Sequence, residues 1–213
     1  ASLLTIELAQ RLQRIRPSAT VSITARAQRL REQGRDIIVL SVGEPDFPTP
    51  DYIVEAAVAA CRDPKNHKYT ATGGLPELRE AIAVKTLRDS GYSVKANQVV
   101  VPNGGKHAVF DSTAAPVDEG DAVLIPAPYW TSYPDMVRIA GATPVFVETR
   151  QENGWKMTAE EFEEAMTPST KMVIMNSPSN PTGAVYSKEE LEKIGELAAA
   201  EDILILSDEI YEK

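Results

Sequence analysis

The sequence predicts an α/β protein: a three-layer αβα sandwich around a mainly parallel sheet, preceded by a helical arm. Three observations carry this prediction. Short apolar runs alternate with helical stretches from residue 74 onward. The runs are continuous rather than every-other-residue, as expected of strands covered on both faces. Helix-start signals recur after the loops that follow these runs, including the capping pairs Thr158/Glu161 and Ser187/Glu190.

The first 40 residues read as the arm. "SATVSITARAQRLREQG" carries apolar residues at helical spacing and stops at Gly34, a natural C-terminal cap. "DIIVL" follows as a short buried strand. "TPDYIVEAAVAAC" restarts a helix, with Thr49 as its cap and Pro50 at the first helical position. The pattern before Cys61 is apolar, so its thiol is expected to be buried. "GLPELREAIAVKTLRDSG" is the next helix, and then strands and helices take turns. "QVVVP" is followed by "GKHAVFDSTAA", "DAVLIP" by "YPDMVRIAG", "TPVFVE" by "TAEEFEEAM" and "KMVIM" by "SKEELEKIGELAAAE"; "ILILS" is the last strand.

Composition narrows the function. The 213 residues are 43% hydrophobic and 25% charged, as in an ordinary soluble globular protein. There is no apolar run of bilayer length and no secretory signal pattern near the start. The net charge of -9 argues against a nucleic-acid footprint across the chain. Residues 1–35 hold seven Arg against Glu7 and Glu32. That start has the composition of a transit peptide or of an amphipathic helix with a basic face, and we adopt the second. One cysteine and two distant histidines form no disulfide framework and no zinc-type spacing, so no metal is expected. A cytoplasmic location fits this cysteine usage.

In open parallel sheets, ligands sit beyond the carboxyl ends of the strands. Four such ends carry unusual residues: "PNGGK" (102–106), "PAPYW" (126–130), "NSPSNPTG" (176–183) and "SDEIY" (207–211). "NGGK" lets backbone N–H groups at a helix start approach an anion, and it is equally what a plain turn looks like. It is neither a Walker A loop nor a dinucleotide fingerprint. Trp130 either stacks on a planar ligand or fills core space. Two Pro and two Asn in eight residues make a stiff loop able to aim one amide; a rigid crossover is the bland alternative. Asp208 ends an apolar strand, where a carboxylate is costly unless it meets a donor or a cation.

These strand ends, in this order, resemble the fold-type I pyridoxal-phosphate aminotransferases of class I, the subgroup of the bacterial aspartate aminotransferases. "SVGEPDFPTP" (41–50), "KYTATGGLPELREAIA" (68–83) and "SPSNPTGAVYSKEEL" (177–191) extend the likeness. The resemblance implies pyridoxal 5'-phosphate as cofactor and a homodimer with shared sites. It implies that Asp208 pairs with the protonated pyridine nitrogen and that Asn180 and Tyr211 meet the phenolic oxygen. Trp130 matches the aromatic that stacks on the ring. Gly104, Gly105 and Lys106 match the phosphate-cradling loop, and Tyr69 matches the tyrosine that reaches the neighbouring subunit's phosphate. Gly43, Trp130 and Asn180 fall at substrate-binding positions; Arg16 and Lys106 fall where a distal carboxylate could be met. By the same likeness, residues 1–45 are the arm and part of a small domain. Residues 46–213 are then the cofactor-binding large domain, incomplete at its C-terminal side.

The family's Schiff-base lysine lies in a motif like S-x-S-K beyond S-D-E-I-Y, and its α-carboxylate-binding arginine comes later still. This sequence stops at Lys213, two residues past Tyr211, and Lys213 matches neither. The expectation is an N-terminal part of a longer enzyme, inactive by itself. The implied activity of the parent is transamination between an amino acid, aspartate first, and a 2-oxo acid, 2-oxoglutarate or prephenate. Two other functions use the same residues: a carbon–sulfur lyase on the same fold, and an aminotransferase-like sensing module of a transcription regulator.

Overall fold

The computed structural model describes residues 7–15, 19–41 and 43–213. These divide into two compact units, one made of 7–15 with 105–213 and the other of 19–104.

The first unit holds a four-stranded parallel sheet in the order β2-β1-β3-β4. The strands are β1 (Ala122–Ala127), β2 (Thr143–Glu148), β3 (Thr170–Asn176) and β4 (Leu204–Asp208). The helices of this unit are α1 (Gln10–Gln13), α5 (Gly105–Ala114), α6 (Tyr133–Ala140), α7 (Ala159–Ala165) and α8 (Lys188–Ala200). The chain steps outward from β1 to β2, returns across β1 to β3, and continues to β4. Crossovers between parallel strands are right-handed. Reversing the direction of travel therefore puts the crossover helices on opposite faces. The core bears this out. Val123 and Ile125 of β1 and Met172 and Ile174 of β3 pack with residues of α5 and α6. Their neighbours Leu124, Val173 and Met175 pack with Phe162 of α7 and Ile194 and Ala198 of α8. Alternation along β1 and β3 thus feeds two cores, and the predicted αβα sandwich is what forms.

Local signals hold where they are self-contained. Thr158 accepts from the Glu161 N–H at 3.1 Å while Glu161 accepts from the Thr158 N–H at 2.9 Å, closing the predicted capping box. Ser187 and Glu190 do the same at 3.2 and 2.7 Å. Replacing Ser187 by alanine is expected to cost about 1 kcal/mol in a urea titration, the usual loss of an N-cap. A change under about 0.3 kcal/mol would mean that Glu190 caps α8 without it.

The second unit contains α2 (Ala19–Glu32), α3 (Asp51–Arg62) and α4 (Pro76–Ser90). Helix α4 ends at Gly91, whose φ of 69° and N–H bond to the Leu87 carbonyl make the left-handed cap. Four expectations are corrected here. "DIIVL" forms no strand: Ile38 and Leu40 are 84% and 91% exposed, and the Ile37 carbonyl accepts from the Arg31 guanidinium instead. "QVVVP" forms no strand either; Val101 donates one bond to the Gly73 carbonyl, and Val100 is exposed. A strand is a property of a pair, and among the described residues neither segment has a paired neighbour. Cys61 is exposed, because no residue of α3 is buried and its apolar stripe is left uncovered. Pro50 rather than Thr49 occupies the cap position of α3, without a side-chain cap bond.

Candidate active site

Parallel pairing brings strand ends to one rim. The β3–β4 register sets Asn176 beside Asp208, and the β1–β2 register sets Ala127 beside Glu148. Winding reverses between β1 and β3, the crevice where open α/β sheets take ligands. Pro128, Tyr129 and Tyr133 after β1, and Asn176, Ser179 and Asn180 at the end of β3, line a small cavity there.

Asp208 is the hub. Its Oδ2 accepts from the Tyr133 hydroxyl at 2.6 Å and its Oδ1 from the Ile210 N–H at 3.2 Å. Its carbonyl accepts from the Asn176 amide at 2.9 Å. The Asn176 side-chain oxygen in turn accepts from the Asn180 N–H at 2.7 Å. Asn176 therefore ties the stiff loop to the end of β4. The Asn180 amide nitrogen lies 3.4 Å from the Tyr211 hydroxyl, so one amide and one phenol converge. Tyr211 is 48% exposed.

An aromatic wall stands beside this network. Trp130 and Tyr133 meet edge-to-face, with centroids 5.2 Å apart and planes at 86°. Lys106, in the first turn of α5, holds its ammonium 5.1 Å from the Trp130 ring centroid. The N–H groups of that turn have no intrahelical partners, which makes it a place for an anion. Gly105 leads this helix close to the site: a Cβ on it would sit 3.9 Å from Ile210 Cδ1. Burial first, and the Asp208 bond and charge second, raise the Tyr133 phenol well above its ordinary pKa. Tyr186, which lines the cavity and accepts from the Met157 N–H at 2.8 Å, is pushed by burial up to about 12. Both phenols stay protonated across physiological pH.

The structure brings together Gly105, Lys106, Trp130, Asn180, Asp208 and Tyr211 of the residues singled out in the sequence. Gly43, Tyr69 and Gly104 belong to the other unit. Within it, the Tyr69 ring is fully exposed, and Gly104 has a φ of 88° that a side chain would strain. Arg16 lies outside the described residues. Trp130 packs against the α5–α6 core, as its core reading expects, and meets Tyr133 and Lys106 at the rim. Two residues escaped the sequence: Tyr133 and Asn176. Asn176 opens the very loop that drew attention. Nothing local marks Tyr133, whose partner is 75 positions away.

Among the described residues, no group of His, Cys, Asp or Glu is arranged to hold a metal ion, and no helix is long and apolar enough to cross a membrane.

Comparison with known proteins gives a consistent result. The family model for aminotransferase class I and II matches residues 35–213. The aspartate aminotransferase of Streptomyces avermitilis is 54% identical over 198 residues, covering 93% of this chain and 48% of that protein. A Streptomyces griseus protein named "Probable aspartate aminotransferase" is 52% identical over 200 residues, covering 94% of this chain and 93% of that one. The solved aspartate aminotransferase of Thermus thermophilus with maleate superposes with a TM-score of 0.93 at 48% identity, over 98% of this chain and 54% of that one. The chain thus spans about half the length of the Streptomyces avermitilis and Thermus relatives. With its sheet, its strand-end residues and a family match over most of its length, the chain belongs to the aminotransferase class I and II family.

Proposed function

We propose that the full-length protein transfers amino groups between aspartate and a 2-oxo acid, 2-oxoglutarate first and prephenate as an alternative acceptor. The observation that carries this is the convergence of Asp208, Asn180, Tyr211 and Trp130 at one rim of the sheet.

The family implies pyridoxal 5'-phosphate, and the donor set present fits it. Among the described residues, Asp208 Oδ2 accepts from Tyr133 and Oδ1 from Ile210, and a carboxylate oxygen has a second lone pair for another donor. Asn180 and Tyr211 offer two donors 3.4 Å apart, close enough to share one acceptor oxygen. Trp130 offers an aromatic face, and the start of α5 with Lys106 suits a dianionic phosphate. When bound, the cofactor supplies an electron-withdrawing ring that stabilises negative charge on the substrate's α-carbon. Asp208 holds a proton on the ring nitrogen, because a neighbouring carboxylate favours the protonated pyridine. Asn180 and Tyr211 stabilise the phenolate by donating to it. Gly104, Gly105 and Lys106 hold the phosphate, and Tyr69 serves the same group across a homodimer interface. Gly43, Trp130, Asn180 and Arg16 position the substrate. In domain terms, residues 1–45 act as arm and part of a small domain, and 46–213 as the cofactor-binding domain. The working location is the cytoplasm.

The test mixes full-length protein with aspartate, 2-oxoglutarate and pyridoxal phosphate. Oxaloacetate is expected, read by coupled reduction to malate. No oxaloacetate and no change in the cofactor spectrum would remove the proposal.

A further inference from the structure

We propose that Tyr133 is a positioning residue of this site: its phenol sets the orientation of the Asp208 carboxylate, and its ring, perpendicular to that of Trp130, sets the plane of Trp130. This rests on the role given to Asp208 above.

The geometry is specific. Tyr133 is 2% exposed and opens α6, and its own backbone N–H donates to the Trp130 carbonyl at 3.1 Å. Pro134, the next residue, is buried too, so the start of the helix is anchored. The ring belongs to the core made with Val123, Ile125, Met136 and Val137, which locks its rotamer. A phenol held this firmly reaches Asp208 at 2.6 Å, the short range of an O–H donor to an ionised carboxylate. Burial keeps the phenol neutral, so Tyr133 acts as a donor toward this carboxylate. With the Ile210 N–H on Oδ1, each oxygen has a fixed partner and the carboxylate plane is pinned. The edge-to-face contact makes the same ring a buttress for Trp130. Tyr211 contrasts with it: half-exposed and bonded at 3.4 Å, it is held loosely and suits direct ligand contact.

The test is a double-mutant cycle in the full-length protein, with Tyr133→Phe, Asp208→Asn and the pair together. Pyridoxamine phosphate affinity is read by quenching of tryptophan fluorescence, and thermal melts check the fold. Phenylalanine keeps the ring and removes only the donor. Tyr133→Phe is expected to weaken binding about tenfold, the scale of one charge-assisted bond. In the Asp208→Asn background the same change is expected to matter by less than about twofold. Equal losses in both backgrounds, or no loss in either, overturn the positioning role. Wild-type protein that binds no pyridoxamine phosphate overturns the functional reading, and this proposal with it. Should Tyr133→Phe not fold, tyrosine labelled with ¹³C at Cζ supplies a second measurement. The Tyr133 resonance is expected to move in Asp208→Asn; an unmoved resonance overturns the bond itself.

Discussion

Asparagine at position 208 is expected to slow transamination by the full-length protein about a thousandfold while leaving the fold intact. The side chains are nearly the same size; with the amide oxygen toward the Ile210 N–H, the amide nitrogen can donate to the Tyr133 hydroxyl oxygen. What is lost is the negative charge. Two unit charges about 4 Å apart at an effective dielectric of 20 attract by about 4 kcal/mol. That is about three orders of magnitude in rate if the charge is felt in the transition state. The matched control is Asp208→Glu, which keeps the charge and displaces it; its rate is expected to fall between the two. Steady-state kcat with aspartate and 2-oxoglutarate decides the matter. An Asp208→Asn enzyme within about threefold of wild type would remove Asp208 from the proposed chemistry, since threefold is under 1 kcal/mol.

Phe162→Ala is expected to produce the largest loss of stability from one side chain, about 3–5 kcal/mol. Phe162 is fully buried, in α7, where it packs with Leu124, Val147, Val173 and Ile194 beneath the sheet. Truncation forfeits the transfer free energy of the ring and leaves a cavity that packed strands are poorly able to collapse. Since whole domains are stable by only about 5–15 kcal/mol, the variant should show a clearly lowered urea midpoint. Val185→Ala, at a position 59% exposed, is the reference and is expected to change stability by under about 0.5 kcal/mol. A Phe162→Ala midpoint equal to that of Val185→Ala would mean that the α7 side of the sheet contributes little to its stability.

Legibility in the sequence followed the reach of each signal. The two capping boxes were readable because every group in them lies within four residues. Strands β1 and β3 were readable because strands covered on both faces leave uninterrupted apolar runs; β2 and β4 carry similar runs although, at the sheet edges, they are partly exposed. "DIIVL" has the same letters and no strand, because β structure needs a partner and composition does not name one. Cys61 failed for a related reason. A helix's apolar stripe says which side wants cover, not whether cover is present. At the site, Asp208, Asn180, Tyr211 and Trp130 were found through their strand ends and through family likeness. Tyr133 and Asn176 were not, since their importance lies in what they touch.

By itself, the amino-acid sequence determined the alternation of elements, the caps that start α7 and α8, and the strand ends that carry unusual polar residues. These depend on contacts between near neighbours and on how water excludes apolar runs. Only the tertiary structure decided the strand order β2-β1-β3-β4, the face each helix covers, and the meeting of Tyr133 with Asp208. Those outcomes depend on crossover handedness and on packing between segments far apart in the chain, and no local pattern of residues encodes such distances.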